Sequence, residues 1–173
     1  MERFNERFNL DFSDFKFDEL PVERRQLQEF RSWLDETDFT TWNKPYAWTF
    51  TFEYEQSIDS AKKKMRHFLN VLNKKVFGNA HFRYNKSLKC IPIIEKDENT
   101  RIHYHLILEH LSRGNMMPET YFLLMQSLWK HGRVKTNGLY MNDENASWKN
   151  YILKNRTKQD LKDLSIDIEN LSL

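Results

Sequence analysis

Residues 101–109 read RIHYHLILE, and the reading of this stretch decides the fold. It is short, rich in β-branched and aromatic residues, and bounded by the polar run KDENT at 96–100. These features predict a strand entered through a hairpin connection. In a strand, alternate side chains share a face, about 7 Å apart along the chain. His103 and His105 flank Tyr104, so their imidazoles converge on one side.

Working outward, LKCIPIIE at 88–95 predicts the partner strand, with Pro92 marking a bulge or an edge. HFRY at 81–84 reads as strand as well. Upstream, YAWTFTFEY at 46–54 is a further strand, after the turn signal Asn43–Lys44–Pro45. Between them, Ile58, Ala61, Met65, Phe68, Leu69 and Leu72 recur at helical spacing from Ser57 to about Phe77, and Gly78–Asn79 ends the run. Downstream, Pro118 opens a helix to about Lys130, and 132–141 contains strand. Asn145 or Ser147 caps a last helix holding Trp148, Tyr151 and Lys154. The tail from Gln159 alternates Leu or Ile with acids, as a short helix or a docking strand.

The order β-α-β-β-α-β predicts an α+β, ferredoxin-like or RRM-like split βαβ. Its antiparallel sheet carries the His pair on a central strand. Helices pack on one face and the other is left for a substrate. Three parts are expected: an acidic arm and helix over 1–44, a core over 45–158, and an acidic tail over 159–173.

With 173 residues, 39% hydrophobic and 14% aromatic, the chain has a globular composition. No long apolar run predicts a membrane span, and the charged start is unlike a secretory signal. Cys90 is the single cysteine, so a cytoplasmic, reducing setting is expected. The net charge of +2 conceals a segregation: residues 45–158 hold 19 basic and 10 acidic side chains, against 7 and 11 in residues 1–44. A basic middle suits a polyanionic partner, although a solvated basic surface reads the same way.

Glu95 ends the strand before the hairpin, which brings its carboxylate beside His103 and His105. Two imidazoles and a carboxylate make a three-ligand site with open positions. The carboxylate, and the lack of thiolates, favour Mn²⁺ or Mg²⁺ over structural zinc. Tyr151 adds a phenol that becomes a nucleophile once a phosphate is polarised for in-line attack, and Lys154 lies on the same helical face to balance charge. Outside such a context, Tyr151 reads as an amphipathic core residue. Trp48, Phe50 and Phe52 read as core, which turns Thr49 and Thr51 to the opposite face.

WTFTF at 48–52, HYHL at 103–106 and YILK at 151–154 together resemble the HUH superfamily, specifically its single-tyrosine rolling-circle replication initiators (Rep) of phage and plasmid type. LWKHGRV at 128–134 resembles the segment between their metal and tyrosine motifs, and Glu95 stands where many initiators carry a glutamate. The first motif is more aromatic than the commoner form. The resemblance implies site-specific cleavage of single-stranded DNA, or a stem-loop, at a replication origin. Tyr151 would keep a 5′-phosphotyrosine and free a 3′-hydroxyl for a polymerase. The metal set would be Glu95, His103 and His105, with Tyr151 and Lys154 catalytic. DNA contacts would fall at Thr49, Thr51, Arg133, Lys135, Lys149 and Lys158. The chain lacks GxxxxGK[ST], so a host helicase would separate strands.

Three rivals remain at this point. A single-tyrosine transposase of the insertion-sequence (IS200/IS605-like) kind would use a polar ligand at the place of Asn155. An Fe(II) oxygenase uses the same donor set without Tyr151. A non-catalytic RRM-like module would bind single strands without metal. The oligomeric state is left open.

Overall fold

A computed structural model of the chain describes residues 32, 33, 36–96, 101–110, 117–139 and 164–172. The chain divides into two compact units, Met1–Asp35 and Glu36–Leu173, and all the elements below belong to the second. A 3-10 turn, Phe39–Thr41, is capped by Asp38, whose side chain accepts from the Thr40 amide. β1 is Tyr46–Thr51, shorter than the aromatic run that predicts it. Ser57 caps α1, Ile58–Phe77, by accepting from the Ser60 amide. Gly78 closes α1 at φ 58°, a left-handed value that a side chain rarely adopts.

The expected strand at 81–84 is instead a short helix, α2, Asn79–Tyr84. No residue in it is buried, and Asn85 ends it in the left-handed region. The β preference of Phe82 and Tyr84 is a preference for packing on a sheet, and here no sheet receives them. β2 is Cys90–Glu95, β3 is His103–Leu108, α3 is Pro118–Leu128 and β4 is Val134–Leu139. The tail takes both expected forms in turn, strand β5 at Leu164–Ile166 and a 3-10 turn at Ile168–Asn170. The predicted helix around Tyr151 lies outside the described residues.

The sheet order is β4-β1-β3-β2, extended by β5 at the β2 edge. Every neighbouring pair is antiparallel. β1 and β2 therefore run parallel with β3 between them, which is the split βαβ arrangement of an α+β fold. Pro92 does not sit at a bulge. Its carbonyl accepts from the Asp167 amide at 2.9 Å, where the β5 ladder has ended. In an antiparallel strand a residue's N and O face the same neighbour, so the missing N–H falls where no ladder partner stands.

The described helices cover one face. Trp48, Phe50 and Phe52 of the β1 segment, Tyr104, Leu106 and Leu108 of β3, and Ile94 of β2 pack with Met65, Phe68 and Leu72 of α1 and Tyr121, Met125 and Trp129 near α3. Trp129 meets Phe50, Phe52 and Phe68 edge-on. Burying such rings contributes roughly 1.5–3 kcal/mol each, which makes this layer the main stabilising body.

The opposite face is not open throughout, contrary to expectation. Ala47, Ile91, Ile93 and Ile107 are buried there, outside the helix-side cluster. The same face carries polar side chains beyond them, from Thr49 and His105 to Thr51, His103 and Glu95, set by period-2 alternation and by the register of β1, β3 and β2.

Candidate metal centre

The hairpin register pairs Glu95 directly with His103 across β2 and β3. Residues opposed in this way point to the same face, and His105 is two residues along. Glu95 Oε2 lies 2.8 Å from His105 Nε2 and 3.1 Å from His103 Nε2. The two imidazole rings stand 4.9 Å apart, nearly perpendicular. Glu95 and His105 are buried and His103 is half-buried.

The outer partners define what these atoms offer. His103 Nδ1 lies 3.2 Å from the carbonyl of Arg101, which can only accept, so Nδ1 carries the hydrogen. Nε2 then presents a lone pair toward a carboxylate oxygen. Two acceptors at 3.1 Å call for a positive centre between them. His105 Nδ1 meets Thr49 Oγ1 at 3.2 Å, a contact that turns the Nε2 lone pair toward a metal when Nδ1 donates. Burial first, and His103 second, push the His105 imidazole down to about 3. The carboxylate at 2.8 Å favours the opposite. With His105 only 2% exposed, desolvation wins and the ring stays neutral, the form that binds a metal.

The residues fit a divalent cation. Adjacent ligands of a six-coordinate ion with bonds of about 2.1 Å stand roughly 3 Å apart, as the two separations from Glu95 do. All three donor atoms lie within 4.8 Å of one another. This buried Glu/His/His group can hold a metal ion.

The other candidate residues separate into two sets. Thr49 serves His105 in place of facing outward to a strand of DNA. Thr51 Oγ1 stands 3.3 Å from both the carbonyl and the amide of Arg133, which fastens β1 to the start of β4. Arg133 and Lys135 are exposed, and Lys135 opposes Thr49 in the register, on the ligand face. Tyr151, Lys154, Lys149 and Lys158 lie outside the described residues.

Two supports carry no mark that a sequence reader would follow. Gly132 presses against β1 so closely that a Cβ there would overlap the Thr51 carbonyl. Around it, Trp129 Nε1 donates to that carbonyl at 3.0 Å, and the Thr51 and Glu53 amides donate to Arg133 and His131. The glycine in LWKHGRV is the one sequence sign of this contact. On the helix side, Tyr104 donates its hydroxyl hydrogen to Asp167, a fully buried acid of the tail. Asn170 Nδ2 donates to the same oxygen at 2.6 Å.

The family model described as replication-associated protein, of the ORF2 type, matches residues 45–160, well over half of the chain and the part that contains the Glu/His/His group. No curated protein and no solved structure matches. No described helix is long and apolar enough to cross a membrane.

Proposed function

The chain belongs to the ORF2-type family of replication-associated proteins, and from that membership we propose that it initiates replication as an HUH-type endonuclease. In this reading it cuts one DNA strand through Tyr151 and uses Mn²⁺ or Mg²⁺. The observation that supports it most is the meeting of Glu95 Oε2, His103 Nε2 and His105 Nε2 at one point of a replication-family domain. An all-oxygen-and-imidazole donor set without thiolate suits these harder cations.

A bound cation would polarise the scissile phosphate and offset its developing charge. The chain's own groups do the rest. Tyr151 Oη forms a bond to phosphorus as the bond to the 3′ oxygen breaks. The phenolic proton passes to solvent and the departing oxygen takes one up. A 5′-phosphotyrosine and a 3′-hydroxyl result. One phosphodiester replaces another, so no nucleotide hydrolysis is needed, and attack by a second 3′-hydroxyl reverses the step. Lys154 steadies the phosphate, and Arg133 and Lys135, with Lys149 and Lys158, hold the flanking strand. β4 ends at Leu139 on one edge of the sheet and β5 opens at Leu164 on the other, paired with Glu95. The stretch between them holds Tyr151 and Lys154, and its far end is thereby tied beside the ligating carboxylate.

A denaturing gel tests this. Protein is incubated with labelled single-stranded and stem-loop oligonucleotides and Mn²⁺, beside Tyr151→Phe and a metal-free control. A protease-sensitive protein–DNA adduct absent from both controls supports the reading. Metal-dependent cleavage that persists in Tyr151→Phe refutes the tyrosine's role.

A further inference from the structure

Helix α1 is basic on two flanks, and the fold treats them differently. On one flank Lys62 and Arg66 pair with Glu169 of the tail, and Asn170 donates from Nδ2 to the Lys62 carbonyl. The protein neutralises that side with its own acid. On the other flank Lys63, Lys64 and His67 follow one another at helical spacing and face His131 across a groove of about 470 Å³, also lined by Ser57 and Ser60. Asp59 is the one acid among its described lining residues. Lys64 donates to Gln56 at 2.5 Å and lies over the Phe52 ring. Among the described residues, no ion pair reaches Lys63, His67 or His131. Burial, then Lys64 and His67, lower the His131 pKa, so this imidazole already stands in a positive field.

The position of the groove gives the charge a use. The segment 131–133 wraps the end of β1, with the Glu53 amide bonded to His131 at 2.7 Å and the Thr51 amide to Arg133 at 2.9 Å. Thr51 opposes His103 in the sheet. The groove and the metal centre therefore lie at the same end of β1, on the two sides of this strap. We propose that the groove is a second nucleic-acid subsite, which binds the phosphodiester backbone of single-stranded DNA as it leaves the metal centre over the strap. Cationic side chains, hydroxyls and an open shape suit a tracked backbone more than a read base. The assignment of DNA as the ligand rests on the nuclease reading, but binding here needs neither the metal nor Tyr151.

The test uses the full chain carrying Tyr151→Phe, in EDTA, with a fluorescent oligothymidylate followed by anisotropy over a range of salt. Adding Lys63→Gln and His67→Gln is expected to weaken binding about tenfold, and to lower the salt slope by roughly 0.7 for the lost lysine contact. Lys75→Gln, at the far end of α1, is expected to change nothing. A thermal melt checks that the variants fold. Unchanged affinity and slope in the double variant, or no metal-free binding at all, overturns the groove. Adduct formation with Mn²⁺ is scored separately on protein that retains Tyr151. An adduct with groove-independent binding refutes the groove alone, and groove-dependent binding without an adduct refutes the nuclease reading alone.

Discussion

The hydroxyl of Tyr104 donates to Asp167 at 2.7 Å, so the residue between the two histidines of β3 is fastened, through the opposite face of the sheet, to the acidic tail. Both side chains are fully buried. One oxygen of Asp167 takes this bond and that of Asn170, and the other has no partner. The tail thus closes on the strand that carries the metal ligands.

Tyr104→Phe removes a buried hydrogen bond to a charged group and strips one of the two partners from Asp167. It is expected to cost about 1–3 kcal/mol in urea unfolding. If the tail steadies the ligand strand, Mn²⁺ affinity falls as well, in protein that is still folded. Affinity equal to the parent's would confine the bond to a structural role.

Glu95→Gln keeps the shape of the side chain and removes its charge. Calorimetric titration with Mn²⁺ is expected to show a loss of about 100-fold or more, on the order of 3 kcal/mol. Thr49→Val removes only the outer partner of His105 Nδ1 and is expected to cost roughly 10–100-fold. Equal affinity in Thr49→Val would mean that His105 needs no help to orient.

Gly132→Ala places a methyl group into the Thr51 carbonyl, which is backbone and cannot swing aside. The strap must lift, breaking the bonds of Arg133 and His131 to β1. A loss of about 2–4 kcal/mol is expected from thermal melts. A neutral result would show that β1 and the strap separate easily.

Cys90 is 1% exposed, and burial raises its thiol pKa far above the ordinary range, followed by the Asp167 charge. A raised pKa means a negligible thiolate fraction at about pH 8, and the thiolate is the form that reacts. The backbone of Cys90 also exchanges two hydrogen bonds with Ser172. Native protein is therefore expected to resist iodoacetamide, and Asp167→Ala, which loosens the tail, to speed labelling severalfold. Fast labelling of the parent would show that the tail detaches readily.

Local pattern carried much of this protein. The alternation around Tyr104 placed His103 and His105 on one face, because a strand repeats every two residues wherever it sits. The polar run at 96–100 implied a hairpin, and a hairpin is enough to set Glu95 beside His103. Helix spacing in 58–77 and the capping Ser57 required no knowledge of a partner. The same local logic failed at 81–84, where strand-forming residues had no sheet to join and became an exposed helix.

By itself the sequence determined the order of elements, the split βαβ class and the three converging ligands, since each follows from periodicity and chain adjacency. Tertiary structure alone decided which oxygen orients His105, why Gly132 must lack a side chain, that Asp167 would close on Tyr104, and which flank of α1 is left uncompensated. These depend on register and packing between residues some tens of positions apart, and local pattern does not encode the distance between them.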